Sequence, residues 1–139
     1  MKKIRYNSWL AKNLLWEGYT TIAIAAWVFT THKNKEEMSQ RVRNHECVHA
    51  RQWVECAAVS AIMIWLLIAI FNISCWWMLL SLISFYVLYV LEYLIKRWNN
   101  TADEAYEKIS FEREARLAEN DNNYLENGDY FNWINFINL

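Results

Sequence analysis

The chain has 139 residues, of which 55% are apolar and 17% aromatic, with nine Trp, two Gly and no Pro. That length makes one domain, 1–139, the default; the apolar content excludes a disordered chain, and the shortage of turn residues excludes a multi-stranded sandwich or barrel. A net charge of −1 leaves no electrostatic footprint for nucleic acid, so the composition points to a mainly α protein.

The first segment, MKKIRYNSWLAKNLLW, is basic but has no apolar stretch followed by a small-residue cleavage site, so it is not read as a secretory leader. Residues 19–31, YTTIAIAAWVFTT, are uncharged and rich in Thr, Ile, Val and aromatics. They are too few to span a bilayer as a helix, and their composition predicts a small β-ribbon of one or two strands. HKNKEEMSQ follows as a polar connection, and Ser39 is placed to cap a helix starting near Gln40. No breaker interrupts that helix before Asn72.

From Cys56 to Leu91 there is no charged residue, and Asn72-Ile73-Ser74-Cys75 divides the stretch into two apolar arms. This predicts a long helical hairpin over 40–98. The first arm, Trp53 to Phe71, is ~27 Å long at helical rise and the second, Trp77 to Trp98, ~31 Å, both close to the thickness of a bilayer core. Trp53 and Trp98 would mark one interface, with Trp76 and Trp77 at the other. The hairpin is therefore read as transmembrane over 54–94, with an oligomer core, and hence a homo-oligomer, as the other way to cover it. Lys33, Lys35, Arg41, Arg43 and Arg51 precede it, Lys96, Arg97 and Lys108 follow it, and its turn is uncharged. The excess of positive charge on the inner side of membranes then places both polar segments in the cytoplasm. The three cysteines, an odd number without paired spacing, agree as free thiols.

After the hairpin, NNTAD is a break with Thr101 or Asp103 as a cap. Residues 102–119 favour helix, with an interruption at Lys108–Ser110 where Ser110 could cap a second piece. Residues 120–139 form a polar turn and an aromatic tail whose Tyr130, Phe131, Trp133, Ile134 and Phe136 are expected to pack on the domain.

One motif carries chemistry: Asn44-His45-Glu46-Cys47-Val48-His49. On a helix the His-Glu-x-x-His spacing puts two imidazoles on one face, where both reach a single metal, with the glutamate beside them to take and return a proton. Cys47 points off that face. A catalytic zinc normally has a third protein ligand and an open position. His32 lies in the polar connection, and Glu55, nearly two turns beyond His49 on the same helix, cannot fold back. Glu92 stands about level with Glu55 and suits a partner behind a ligand better than a ligand. Glu112 and Glu114 return to the correct side of the hairpin, and the spacing allows either.

NHECVHARQW followed by FEREARLA resembles the gluzincin-type zinc metallopeptidases. In their membrane-associated branch the third ligand lies in Glu-x-x-Ala-Asp on a later helix, and Glu112-Arg113-Glu114-Ala115 matches its first four places. The resemblance implies Zn²⁺ on His45, His49 and Glu112, with Glu114 in reserve, Glu46 as general base and then acid, and a peptide or protein substrate. HECVHARQWVE, the hairpin ending in LEYL, AYEKISFEREA and the late NYL…FNWINF also resemble a family of small bacterial proteins typical of Bacteroidetes. That likeness runs from Ser39 onward and implies a metallopeptidase, a metalloendopeptidase by its motif, with no established substrate; the flanking charges add the expectation of a bacterial inner membrane with the site facing the cytoplasm. Where the peptidases have Asp, this chain has Arg116, so Glu119, Glu92 or a backbone carbonyl is left to orient a ligand imidazole. Gln52, on the ligand face, is a candidate partner of the site, and Tyr106 or His32 a candidate donor to an oxyanion. A non-catalytic membrane protein with a structural metal is the alternative reading.

Overall fold

The structure is a computed structural model that describes residues 4–16 and 18–137. Three strands, β1 (Ile4–Arg5), β2 (Thr21–Ile24) and β3 (Trp27–Thr30), form a sheet in the order β1-β3-β2. β2 and β3 are antiparallel, with Thr21 opposite Thr30 and Ile24 opposite Trp27. The predicted ribbon is thus a tight hairpin, whose Ala25 sits at φ 52°. β1 runs parallel to β3, Ile4 opposite Val28, and helix α1 (Trp9–Leu14) lies between β1 and β2 in the chain. The composition carries no sign of β1, because two residues are too few to show an alternating pattern.

α2 (Gln40–Phe71) is one helix of 32 residues, about 48 Å long. Ser39 caps it as expected, its side chain accepting from the Val42 amide, and Asn72 ends it in the left-handed conformation at φ 49°. Asn tolerates that conformation better than most residues, so it serves where a glycine would be usual. Burial changes along the helix. Cys47, Val48, Ala50, Gln52, Glu55 and Cys56 are buried, whereas beyond Cys56 no residue of α2 is.

The return arm begins as a 3₁₀ segment, Cys75–Ile83, and becomes α-helical only in α3 (Ser84–Arg97). The Ser60 and Ser84 hydroxyls meet at 3.0 Å, and the Trp53 indole donates to the Leu82 carbonyl. Gln40–Phe71 and Cys75–Arg97 are both long and apolar enough to cross a membrane. Their outer surface is uncovered, with Ile62 60%, Trp65 60% and Ile70 71% exposed.

The remaining chain folds back on the base of the hairpin as α4 (Ala102–Lys108), α5 (Ser110–Glu119), α6 (Tyr124–Asn127) and a 3₁₀ turn, Asn132–Phe136. Thr101 caps α4 reciprocally with Glu104. The predicted interruption falls at Ile109, but Ser110 is the first residue of α5 rather than its cap. The capping acceptor comes from α3: Glu92 takes hydrogen bonds from the Ser110 amide at 2.9 Å and hydroxyl at 2.6 Å.

Three apolar clusters hold these parts together. Val28, Met38, Cys47 and Ala50 join the sheet to α2, and Val48, Ala115, Ala118 and Tyr124 join α2 to α5 and α6. Cys56, Phe85, Ile109 and Phe111 join both hairpin arms to α5. Of the aromatic tail, Trp133 packs best, its ring 4.5 Å from Phe111 and its indole donating to Glu55. Tyr130, Phe131 and Ile134 stay exposed, which departs from the expectation that the whole tail would pack.

Candidate metal centre

His45 and His49 lie one turn apart on α2, and α5, held against α2 by Ala115 and Ala118, brings Glu112 to them. One potential ligand atom from each of the three residues lies within 4.8 Å of the others. The two Nε2 atoms are 3.1 Å apart. His49 Nε2 is 3.2 Å from Glu112 Oε1, and His45 Nε2 is 3.5 Å from Oε2.

The opposite side of each ring fixes which nitrogen carries hydrogen. Gln52 Nε2 donates to the Phe111 carbonyl at 3.0 Å and to Glu114 Oε2 at 2.8 Å, so its Oε1 is the atom 2.8 Å from His49 Nδ1. An amide oxygen only accepts, so His49 Nδ1 is the donor. His45 Nδ1 faces Glu119 Oε1 at 3.0 Å and is a donor for the same reason. With both Nδ1 atoms protonated, the neutral rings turn their Nε2 lone pairs toward each other and toward a carboxylate. Three acceptors converge without a donor among themselves, and Glu112 Oε2 is buried with no hydrogen-bond partner. A cation satisfies all three, so these residues fit a metal ion.

The ionisation of the site points the same way. When a proton at Nε2 takes the place of a cation, burial disfavours the Glu112 carboxylate, but hydrogen bonds from His45 and His49, with the charge of His49 and the Tyr89 hydroxyl, hold its pKa well below the usual carboxylate range. Burial also disfavours a charged His49, yet its contact with Glu112 and the charge of Glu46 raise its pKa above the ordinary histidine value. The space between the ligands favours positive charge.

Glu46 stands beside the histidines, its pKa raised by burial and by the charge of Glu112 against the lowering effect of both histidines and of a hydrogen bond from the Ala23 backbone. That bond comes from β2, the strand at the edge of the sheet next to α2. Glu46 and the three ligand candidates line one cavity of about 540 Å³ with Tyr89, Tyr106 and apolar side chains from α1, β2 and α3. A second, polar groove bounded by Arg41, Arg116 and Glu119 also reaches His45, Tyr106 and Glu112.

The other candidates separate clearly. Gln52 touches the site through His49. Glu119, one of three stand-ins left by the Arg116 departure, orients His45, and Arg41 holds it at 2.6 Å. Glu92 sits behind the centre by anchoring α5. Tyr106 lines the cavity, and burial and the Glu112 charge raise its pKa. Glu114 is not with the metal candidates: it is completely buried and binds Arg51 at 2.7 Å, Gln52 and Tyr124. Its place two residues after Glu112 turns it about 200° around α5, to a different face. His32 stands beyond β3, where its carbonyl accepts from Asn7, and does not line the cavity. Tyr89 is a site residue that sequence reasoning misses. Its hydroxyl donates to Glu112 at 2.7 Å, and its only sign in the sequence is its place in the helically spaced row Tyr86, Tyr89 and Tyr93, which helix packing also explains.

No family model, curated protein or solved structure matches the chain.

Proposed function

We propose that the chain is a membrane-anchored zinc metallopeptidase. The observation that carries this reading is a three-ligand cluster opening into a cavity with a carboxylate, Glu46, beside it. A structural site closes its fourth position with protein, whereas a catalytic one leaves it to water and substrate. His45, His49 and Glu112 would hold the ion. When bound, zinc supplies Lewis acidity toward the scissile carbonyl and lowers the pKa of water.

The chain's own residues then have these roles. Glu46, held by the Ala23 amide, takes the proton of the attacking water and gives it to the leaving amine. Gln52 and Glu119 keep both imidazoles turned with Nε2 inward. Tyr106 is the wall donor available to the oxyanion that develops at the carbonyl. Thr21, Ile22 and Ala23 of the edge strand line the same cavity, which supports binding of a substrate in extended form.

Membrane anchoring is supported by the uncovered apolar surface of the hairpin. The charges flanking the hairpin support a cytoplasmic site at the inner membrane. A second reading has its own support: the ligands bridge α2 and α5, so a bound ion would also cross-link them as a structural metal.

Metal analysis of the purified full chain, beside the Glu46→Gln variant in a peptide-library cleavage assay, tests the proposal. One zinc per chain in both proteins, with cleavage only in the parent, is the expected result. Zinc without Glu46-dependent cleavage, together with unfolding on chelation, supports the structural reading instead. A chain that stays soluble without detergent overturns the membrane anchor in favour of an oligomer core.

A further inference from the structure

We propose that the pocket between the sheet and the first turn of α2 is a binding site for a phosphate group, held by Arg43 and Lys35. Arg43 is 7% exposed, and its Nε and Nη1 atoms are buried with no hydrogen-bond partner. Among the described residues it also has no ion pair. A buried guanidinium left this way loses its hydration without compensation, which native structures rarely allow. The pocket it lines holds about 260 Å³ and is otherwise walled by Ile4, Tyr6, Lys35 and Gln40. Among the described residues no acidic side chain lines it.

Three acceptors around the start of α2 are used by other donors. Asn44 Oδ1 accepts from Gln40, Glu37 from the Lys33 amide, and Glu119 from Arg41 and His45. The start of α2 adds to the imbalance. A helix N-terminus carries roughly half a positive charge and usually has an acid in its first turn, but α2 has none there. Arg43, Lys35 and the helix end together present about 2.5 positive charges, close to the charge of a phosphate monoester at neutral pH. The pocket is too small for a peptide but accommodates a tetrahedral oxyanion with a few waters at ~30 Å³ each.

This site is separate from the metal centre. Two positions along α2 turn Arg43 about 200° away from His45, so it faces the sheet while the histidines face α5. It also lies ten residues, ~15 Å of helical rise, before Trp53. That distance favours a phosphate dissolved in the aqueous phase over a lipid headgroup.

The test titrates inorganic phosphate into the full chain in detergent, by calorimetry and thermal melts, with chloride at equal ionic strength as control. Saturable one-to-one binding with a rise in Tm is expected, weakened at least about tenfold in Arg43→Met and in Lys35→Met. Because Lys35 is exposed, its variant decides the matter if Arg43→Met does not fold. Equal, unsaturable responses to phosphate and chloride would overturn the site. So would a folded Arg43→Met that keeps the parent's phosphate affinity, because the guanidinium would then be merely hydrated. Displacement of phosphate by nanodiscs containing phosphatidylglycerol, but not by phosphatidylcholine alone, would assign the ligand to a lipid headgroup. No displacement by either assigns it to a soluble phosphate.

Discussion

Replacing Gln52 with Leu removes the one acceptor of His49 Nδ1–H while nearly keeping the volume of the side chain. Three bonds are lost: His49 at 2.8 Å, the Phe111 carbonyl at 3.0 Å and Glu114 at 2.8 Å. Glu114 keeps Arg51 and Tyr124, so the charged partner is not abandoned. The buried imidazole N–H and the Phe111 carbonyl are, and such losses cost about 1–3 kcal/mol of folding stability. The effect on the metal is separate. A ring without its outer acceptor is a weaker base and free to turn, which lowers metal affinity about 10- to 100-fold, or roughly 1.4–2.7 kcal/mol. Competition with a chromophoric chelator measures the affinity, and a thermal melt in excess chelator measures the metal-free stability. A Gln52→Leu protein that binds zinc within twofold of the parent would refute the idea that this amide sets the ring. Gln52→Glu makes a useful contrast, since it restores an acceptor for His49 but places a second carboxylate against Glu114. Its stability should therefore fall as pH rises, the reverse of a carboxylate gaining a cation.

Zinc affinity should decline in acid, because the ion displaces the proton that His49 holds with a pKa raised above 6.5. The slope approaches about tenfold per pH unit for one proton, and calorimetry in buffers of different ionisation heat counts the proton; a flat profile from about pH 8 to 5 contradicts the assignment. In the metal-free protein the sign is fixed in the same way: a raised folded pKa gives His49 a stabilising contribution fully present below its unfolded value and lost as pH rises through the folded one. Ile62→Lys, at a position 60% exposed, should abolish membrane integration in alkaline extraction, at about 2.5–3.5 kcal/mol of insertion free energy. If the surface faces water instead, the same change is neutral within about 0.5 kcal/mol. Ala25→Gly should stabilise the protein by about 0.5–1 kcal/mol in denaturant melts, since relief of a left-handed alanine, about 1–2 kcal/mol, exceeds the added freedom of glycine in the unfolded chain. A lower stability would mean that the hairpin turn is not strained.

Features written in local pattern were the legible ones. Ser39 before Gln40 and the run ending at Asn72 stand where the sequence placed them, and of the two caps it offered for α4, Thr101 and Asp103, Thr101 is the one used. The two histidines needed only helical spacing. What lay hidden depends on how separate elements meet. Glu114 and Glu112 look alike in FEREA, and only the rotation of α5 against α2 decides that one faces the histidines and the other Arg51. Glu92 gave no hint that it caps α5, because its partner lies eighteen residues on. The 3₁₀ start of the return arm has the same apolar letters as an α-helix, so composition cannot tell them apart.

Each hairpin arm also shapes the candidate metal centre. α2 is at once the first apolar arm and the bearer of both imidazoles, while α3 steers Glu112 through Tyr89 and, through Glu92, the start of α5. The arms touch at Ser60 and Ser84 and again at Trp53 and Leu82, and the short turn from Asn72 to Ser74 joins their far ends. Both contacts lie between the turn and the histidines, so the packing of one arm on the other sets where Tyr89 and Glu92 stand relative to α2. A substitution at the Ser60–Ser84 contact is therefore expected to be felt at Glu112, although it touches none of the three ligand candidates.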